Sequence, residues 1–84
     1  MKAVLNLANW VVLSRPDCSL CEIFLEELSD MLGSQFAQIG VFDISADEAL
    51  ERKYGSRIPV LLIDDEFVCA IRLDRARVQA YLSC

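Results

Sequence analysis

The apolar run Trp10-Val11-Val12-Leu13-Ser14 stops at Pro16, and two thiols, Cys18 and Cys21, open the helix-like segment that follows. The run is β-branched and aromatic with no charge inside it, the pattern of a strand covered on both faces. From Ser19 the spacing changes from that of a strand to that of a helix. Leu20, Ile23, Phe24, Leu28, Met31 and Leu32 fall on one face, Glu22, Glu26, Glu27 and Asp30 fall mostly off it, and Gly33 stands where a helix ends. A strand buried on both sides, running straight into an amphipathic helix, asks for an α/β layered fold.

The rest of the chain extends that pattern. Ile39-Gly40-Val41-Phe42-Asp43-Ile44 predicts a second strand. Ser45 precedes Glu48 by the spacing of a capping box and predicts a short helix running to Tyr54, with Gly55 as its stop. Val60-Leu61-Leu62-Ile63 and Phe67-Val68-Cys69-Ala70-Ile71 read as two further strands, joined across the polar turn Asp64-Asp65-Glu66. Asp74 is placed to cap a last helix, with Leu73 and Val78 at the spacing of a hydrophobic staple; that helix buries Val78 and Leu82 with Tyr81 beside them. The predicted order is β-α-β-α-β-β-α. The first strand, helix and second strand form a right-handed parallel crossover, and the last two strands form an antiparallel ladder. The expectation is one domain over residues 1–84, a four-stranded mixed sheet flanked by helices on both faces. Residues 1–8 extend the first strand or lie across its end.

The net charge of −5 argues against non-specific nucleic-acid binding, which needs a basic face to displace counterions. No apolar run approaches the ~18 residues of a membrane span, and the N-terminus lacks the pattern of a signal peptide, so a reducing cytoplasm is the expected compartment. There, closely spaced thiols are catalytic or metal-binding rather than structural. Zinc asks for about four ligands; the chain has no histidine and no second close cysteine pair. Cys69, in an apolar run, reads as a small buried hydrophobe, and Cys84, the last residue, as an incidental thiol.

Thiol–disulfide exchange needs a thiolate, and a free cysteine of pKa ~8.5 is only about 3% ionised at pH 7. At a helix start, unpaired amides point at the sulfur and favour its anion. A pKa near ~7 would raise the ionised fraction about sixteenfold, while the loss of intrinsic nucleophilicity takes back about fivefold, leaving roughly a threefold gain. Exposure and leaving-group quality must supply the rest. Cys18, at the strand–helix junction, is the nucleophile on this reading. Cys21, one turn further in and on the same side, resolves the mixed disulfide. Arg15 is placed to assist the thiolate and Asp17 to oppose it. Arg57-Ile58-Pro59 leads into the third strand. A cis Ile58–Pro59 bond would turn the backbone there and present the polar groups of Ile58 to an added substrate strand. Arg57 reads either as a holder of an anionic substrate group or as a solvated loop charge.

Together these segments resemble the glutaredoxin branch of the thioredoxin fold over roughly residues 9–83. More narrowly, Ser14-Arg15-Pro16-Asp17-Cys18-Ser19-Leu20-Cys21, Asp43-Ile44 and Tyr54-Gly55-Ser56-Arg57-Ile58-Pro59-Val60 are similar to the motifs of a small bacterial glutaredoxin-like family. The resemblance implies the thioredoxin-like fold, a cis bond at Pro59, Cys18 as nucleophile and Cys21 as resolving thiol. It also implies no tightly bound cofactor, with reducing equivalents drawn from glutathione or a reductase and a disulfide-containing protein or small thiol as substrate. The chain departs from dithiol glutaredoxins in three places. Ser19-Leu20 replaces their Pro-Tyr, Arg57 stands where they have threonine, and Cys69-Ala70-Ile71-Arg72-Leu73 lacks their glycine pair before the last helix. Those departures keep a second class open: a thioredoxin-fold binding module, or a carrier of an iron–sulfur cluster between two copies.

Overall fold

The computed structural model describes residues 7–82. Strand β1 (Trp10–Ser14) leads through a short turn into helix α1 (Ser19–Leu32). A 3₁₀ segment (Gly33–Gln38) follows, then β2 (Gly40–Asp43), a second 3₁₀ turn (Ile44–Ala46) and α2 (Glu48–Tyr54). Strands β3 (Val60–Ile63) and β4 (Glu66–Ala70) and helix α3 (Arg75–Leu82) complete the chain. The sheet order is β2-β1-β3-β4, with β1 parallel to β2 and antiparallel to β3, and β3 antiparallel to β4.

Alternation along the central strands divides the interior in two. Trp10, Val12, Leu61 and Ile63 turn to the side covered by α1 and α3, where Phe24, Leu28, Leu32 and Val78 meet them. Leu13 and Val60 turn the other way, with Val11 and Leu62 partly buried beside them, toward Ile44, Leu50 and Tyr54 of the α2 side. This is the period-two pattern of a sheet sandwiched between helix layers. One irregularity breaks it. The register passes from Leu61↔Cys69 to Leu62↔Phe67, so Val68 is an extra residue in β4. A bulge of this kind lets two successive side chains take the same face, and Val68 and Cys69 both lie in the α1/α3 core. Cys69 is thus a buried free thiol. Cys84 and residues 1–6 lie outside the described residues; Leu7 is buried and precedes a turn closed by the bond from Trp10 N–H to Leu7 carbonyl, so residues 7–9 do not extend β1.

Several local expectations are refined. The cap of α2 is Asp47, whose carboxylate accepts from Leu50 N–H at 3.1 Å; Ser45 instead donates its N–H and hydroxyl to Asp43 and sits inside the 3₁₀ turn. Asp43 wins Ser45 because it lies two residues upstream, the spacing of a side-chain-closed turn. Ile39 and Ile44 fall outside β2. The inward stripe of α1 is Cys21, Phe24, Leu28 and Leu32, while Leu20 and Ile23 are 44% and 54% exposed. The β3–β4 turn contains no glycine, yet Asp64 and Asp65 both take positive φ (52° and 64°), as a two-residue hairpin of right-handed strands requires and as aspartate tolerates. Ile71 leaves β4 altogether, at φ 71°. The cap of α3 is as expected: Asp74 accepts from Arg77 N–H at 3.1 Å.

Candidate active site

Cys18 is the N-cap of α1. Its backbone is extended (φ −112°, ψ 103°), its carbonyl accepts from Glu22 N–H at 3.1 Å, and its sulfur accepts from Cys21 N–H at 3.2 Å. Sulfur therefore occupies the place that serine or aspartate oxygen takes in an ordinary cap. The two sulfurs are joined as a disulfide, with Cα atoms 5.2 Å apart. The pair is asymmetric: Cys18 is half-buried, and Cys21 is 3% exposed beneath it. The turn that delivers Cys18 runs through Asp17, which takes the left-handed conformation (φ 57°).

Beneath the disulfide lies the smaller core cluster: Leu13, Cys21, Ile44, Ile58 and Val60, with Cys18, Leu50, Tyr54 and Ala70 packed against it. Ile58 from the α2–β3 loop thus joins the cluster that contains both cysteines. The Ile58–Pro59 peptide is cis, and Pro59 is buried. Its carbonyl accepts from Ile71 N–H at 2.8 Å. Among the described residues, the backbone N–H and carbonyl of Ile58 make no hydrogen bond. Arg57 donates its backbone N–H to Tyr54 carbonyl at 2.7 Å, and its exposed guanidinium has no partner among the described residues.

Arg15 is committed elsewhere. Its guanidinium forms a two-pronged pair with the Glu51 carboxylate, one bond of it Nε to Oε2 at 3.1 Å, and donates to Gly55 carbonyl at 3.2 Å. This ties the end of β1 to α2, and glycine is required there. A Cβ at Gly55 would stand 2.6 Å from Glu51 Oε1 and 3.2 Å from the Arg15 guanidinium. Asp43, at the end of β2, has its carboxyl held below the ordinary value, first by the Ser45 hydroxyl and amide and more weakly by the charge of Arg15. Glu51 was not singled out by the sequence, since its partner is thirty-six positions away. Among the described residues no group of histidine, cysteine, aspartate or glutamate side chains is placed to hold a metal ion, and no helix is long and apolar enough to cross a membrane.

Three separated stretches therefore meet at one end of the sheet: the β1–α1 junction, the β2–α2 junction and the loop into β3. The family model of the glutaredoxin-like domain (DUF836) matches residues 10–83, which takes in all three. The chain belongs to the glutaredoxin-like domain family. Two solved structures are similar along nearly their whole length. Protein Ne2328 from Nitrosomonas europaea, determined by solution NMR, is 30% identical with a TM-score of 0.80, over 96% of this chain and 98% of that one. The X-ray structure of protein XcR50 from X. campestris is 30% identical with a TM-score of 0.72, over 88% and 95%. The holo form of glutaredoxin C1 from Populus tremula x tremuloides shares the fold at a TM-score of 0.52 and 18% identity, over 93% of this chain and 80% of that one. No curated protein matches the sequence. In this glutaredoxin-like domain the motif residues outside the cysteines are largely scaffold: Ile44 and Tyr54 pack in the cluster under the disulfide, and Gly55 makes room for the Glu51 carbonyl and for the carboxylate that Arg15 holds.

Proposed function

We propose that the protein is a thiol–disulfide oxidoreductase that reduces disulfides through Cys18 and Cys21. The observation that carries this reading is the sulfur cap: Cys18 is a partly exposed residue whose Sγ is bonded to Cys21 and hydrogen-bonded by an amide of the first helical turn. An amide that points at sulfur stabilises the thiolate more than the thiol, because the bond is charge-assisted only in the anion. In the reduced protein the Cys18 thiolate attacks one sulfur of a substrate disulfide. The substrate S–S bond breaks, a Cys18–substrate disulfide forms, and the first substrate thiolate leaves. Cys21, deprotonated and one turn deeper, then attacks Cys18 Sγ, releases the second substrate thiolate and leaves the Cys18–Cys21 disulfide. Two electrons have passed to substrate, and the oxidised pair is the form seen in the structure.

Return to the dithiol needs a two-electron donor, a small thiol such as glutathione or a reductase, with no tightly held cofactor and in a reducing compartment such as the cytoplasm. The unpaired N–H and carbonyl of Ile58 offer edge hydrogen bonds to an extended substrate segment beside the sulfurs. Arg57 is the candidate for an anionic group of that segment, and Arg15, through Glu51 and Gly55, positions the β1–α1 turn.

Reduction of a small disulfide by the pre-reduced protein tests the reading. Cys18→Ser abolishes it, and Cys21→Ser accumulates a mixed disulfide visible as an added mass on Cys18. Wild-type rates in Cys18→Ser would refute the assignment.

A further inference from the structure

Beside the disulfide, α1 and the turn between β4 and α3 enclose a groove of about 290 Å³, lined by Leu20, Ile23, Phe24, Ile71 and Leu73, with Glu27 and Arg72 on its rim. Leu20 lies between the two cysteines. Ile71 is tied to the residue after Ile58 by its bond to Pro59 carbonyl. Through these two residues the groove is linked to the cysteine pair and to the loop at Pro59.

Three properties of this groove are unusual. Its walls are apolar although they face water: Leu20, Ile23 and Ile71 are 44%, 54% and 42% exposed. One wall is held in a costly conformation, since Ile71, branched at Cβ, takes φ 71°. A strained residue that keeps an apolar side chain at a site points toward use of that side chain. The rim charge is unbalanced. Glu27 is paired with Arg75 at 3.6 Å, whereas Arg72 has no acidic partner among the described residues. On a chain of net charge −5, the groove therefore presents an unopposed cation. Its volume, at the lower edge of the ~300–1,000 Å³ of small-molecule pockets, leaves room for a bulky side chain.

We infer that this groove selects protein substrates, receiving an apolar side chain next to the reducible cysteine of an extended segment while Arg72 pairs with a carboxylate on the same segment. The inference rests on the oxidoreductase reading above and names its substrate class, an acidic–apolar protein disulfide. The apolar side chain lies against Leu20, Ile23 and Ile71, the peptide backbone pairs with Ile58, and the segment's carboxylate neutralises Arg72. The exchange itself is the one already written, with the segment's cysteine as the attacked sulfur.

Four short peptides test it, each carrying one cysteine as a thiopyridyl mixed disulfide, flanked by leucine or glycine on one side and glutamate or lysine on the other. Pre-reduced protein attacks the peptide sulfur and releases pyridinethione, which is followed by absorbance; each rate is divided by that for dithiodipyridine with the same variant. Leucine is expected to outpace glycine about fivefold, the order of effect of half-burying an aliphatic side chain. Glutamate is expected to outpace lysine about threefold at low salt, the order of an exposed ion pair. Ile23→Ser and Ile71→Gly each reduce the leucine preference, and Arg72→Glu inverts the charge preference while leaving that for leucine. Equal rates for all four peptides, or preferences that survive these substitutions, overturn the docking inference alone, provided dithiodipyridine still reacts. Failure of the wild type to react with dithiodipyridine overturns the oxidoreductase reading and the inference with it.

Discussion

Ile71 offers a sharp test of the backbone around the site. At φ 71° an L-residue crowds its Cβ against the neighbouring carbonyl at a cost of about 1–2 kcal/mol, and branching at Cβ places isoleucine toward the upper end. Replacement by alanine keeps a Cβ and therefore keeps about 1.5 kcal/mol of that cost, the middle of the range; glycine removes it. Both variants lose the aliphatic side chain beyond Cβ, so the loss of its half-buried contact cancels in the comparison. Glycine carries a penalty of its own, about 0.5–1 kcal/mol of extra chain entropy in the unfolded state. The balance leaves Ile71→Gly more stable than Ile71→Ala by roughly 0.5–1 kcal/mol, the reverse of the usual order. For a domain of this size that is a melting-temperature difference of about 2–8 °C. Thermal and urea unfolding of the two oxidised variants, followed by circular dichroism, reads it directly. An alanine variant as stable as the glycine variant, or more so, would falsify the claim that Ile71 is held in the left-handed region.

Two further perturbations probe the scaffold. Burial raises the Cys69 thiol above its ordinary value, so the folded state keeps a proton that the unfolded chain releases. That contribution to stability is complete below about pH 8.5 and is lost as pH rises through the higher folded value; Cys69→Ala should flatten this alkaline decline in urea unfolding of the oxidised protein, and parallel pH curves for the two proteins would contradict the burial account. The Arg15–Glu51 side chains are 37% and 33% exposed, so solvent screens their pairing despite its two prongs. Glu51→Ala is expected to destabilise by about 0.5–1 kcal/mol, less at high salt, and no loss at low salt would show that the clamp from β1 to α2 contributes nothing.

The sheet and the helices were legible because their periods are clean: Trp10–Ser14 and Val60–Ile63 are uninterrupted, and Phe24, Leu28 and Leu32 recur at helical spacing. What escaped the sequence follows from competition or from distance. Ser45 and Asp47 both stand at capping distance from a helical start, and only the folded turn shows Asp43 taking Ser45 and leaving Asp47 to cap α2. Leu20 and Ile23 look like core because the apolar stripe of α1 is wider than the surface that covers it. Ile71 looks like strand because it is apolar and β-branched, yet its N–H is drawn to Pro59 and its backbone turns over. Gly33–Gln38 has no apolar period from which a 3₁₀ segment could be read. The cysteine pair and the loop at Pro59 were visible as motifs, whereas the groove between α1 and the β4–α3 turn exists only once residues some fifty positions apart are side by side.

In most helices the atom that seals the first turn is inert. Here it is the Sγ of Cys18. If the pair cycles as proposed, electrons arriving at that atom would turn a weak neutral acceptor into an anionic one and tighten the opening coil of α1, and electrons leaving would relax it. On the oxidoreductase reading the domain would carry a record of its oxidation state in the firmness of one helical end, with no hinge or moving lid required to display it.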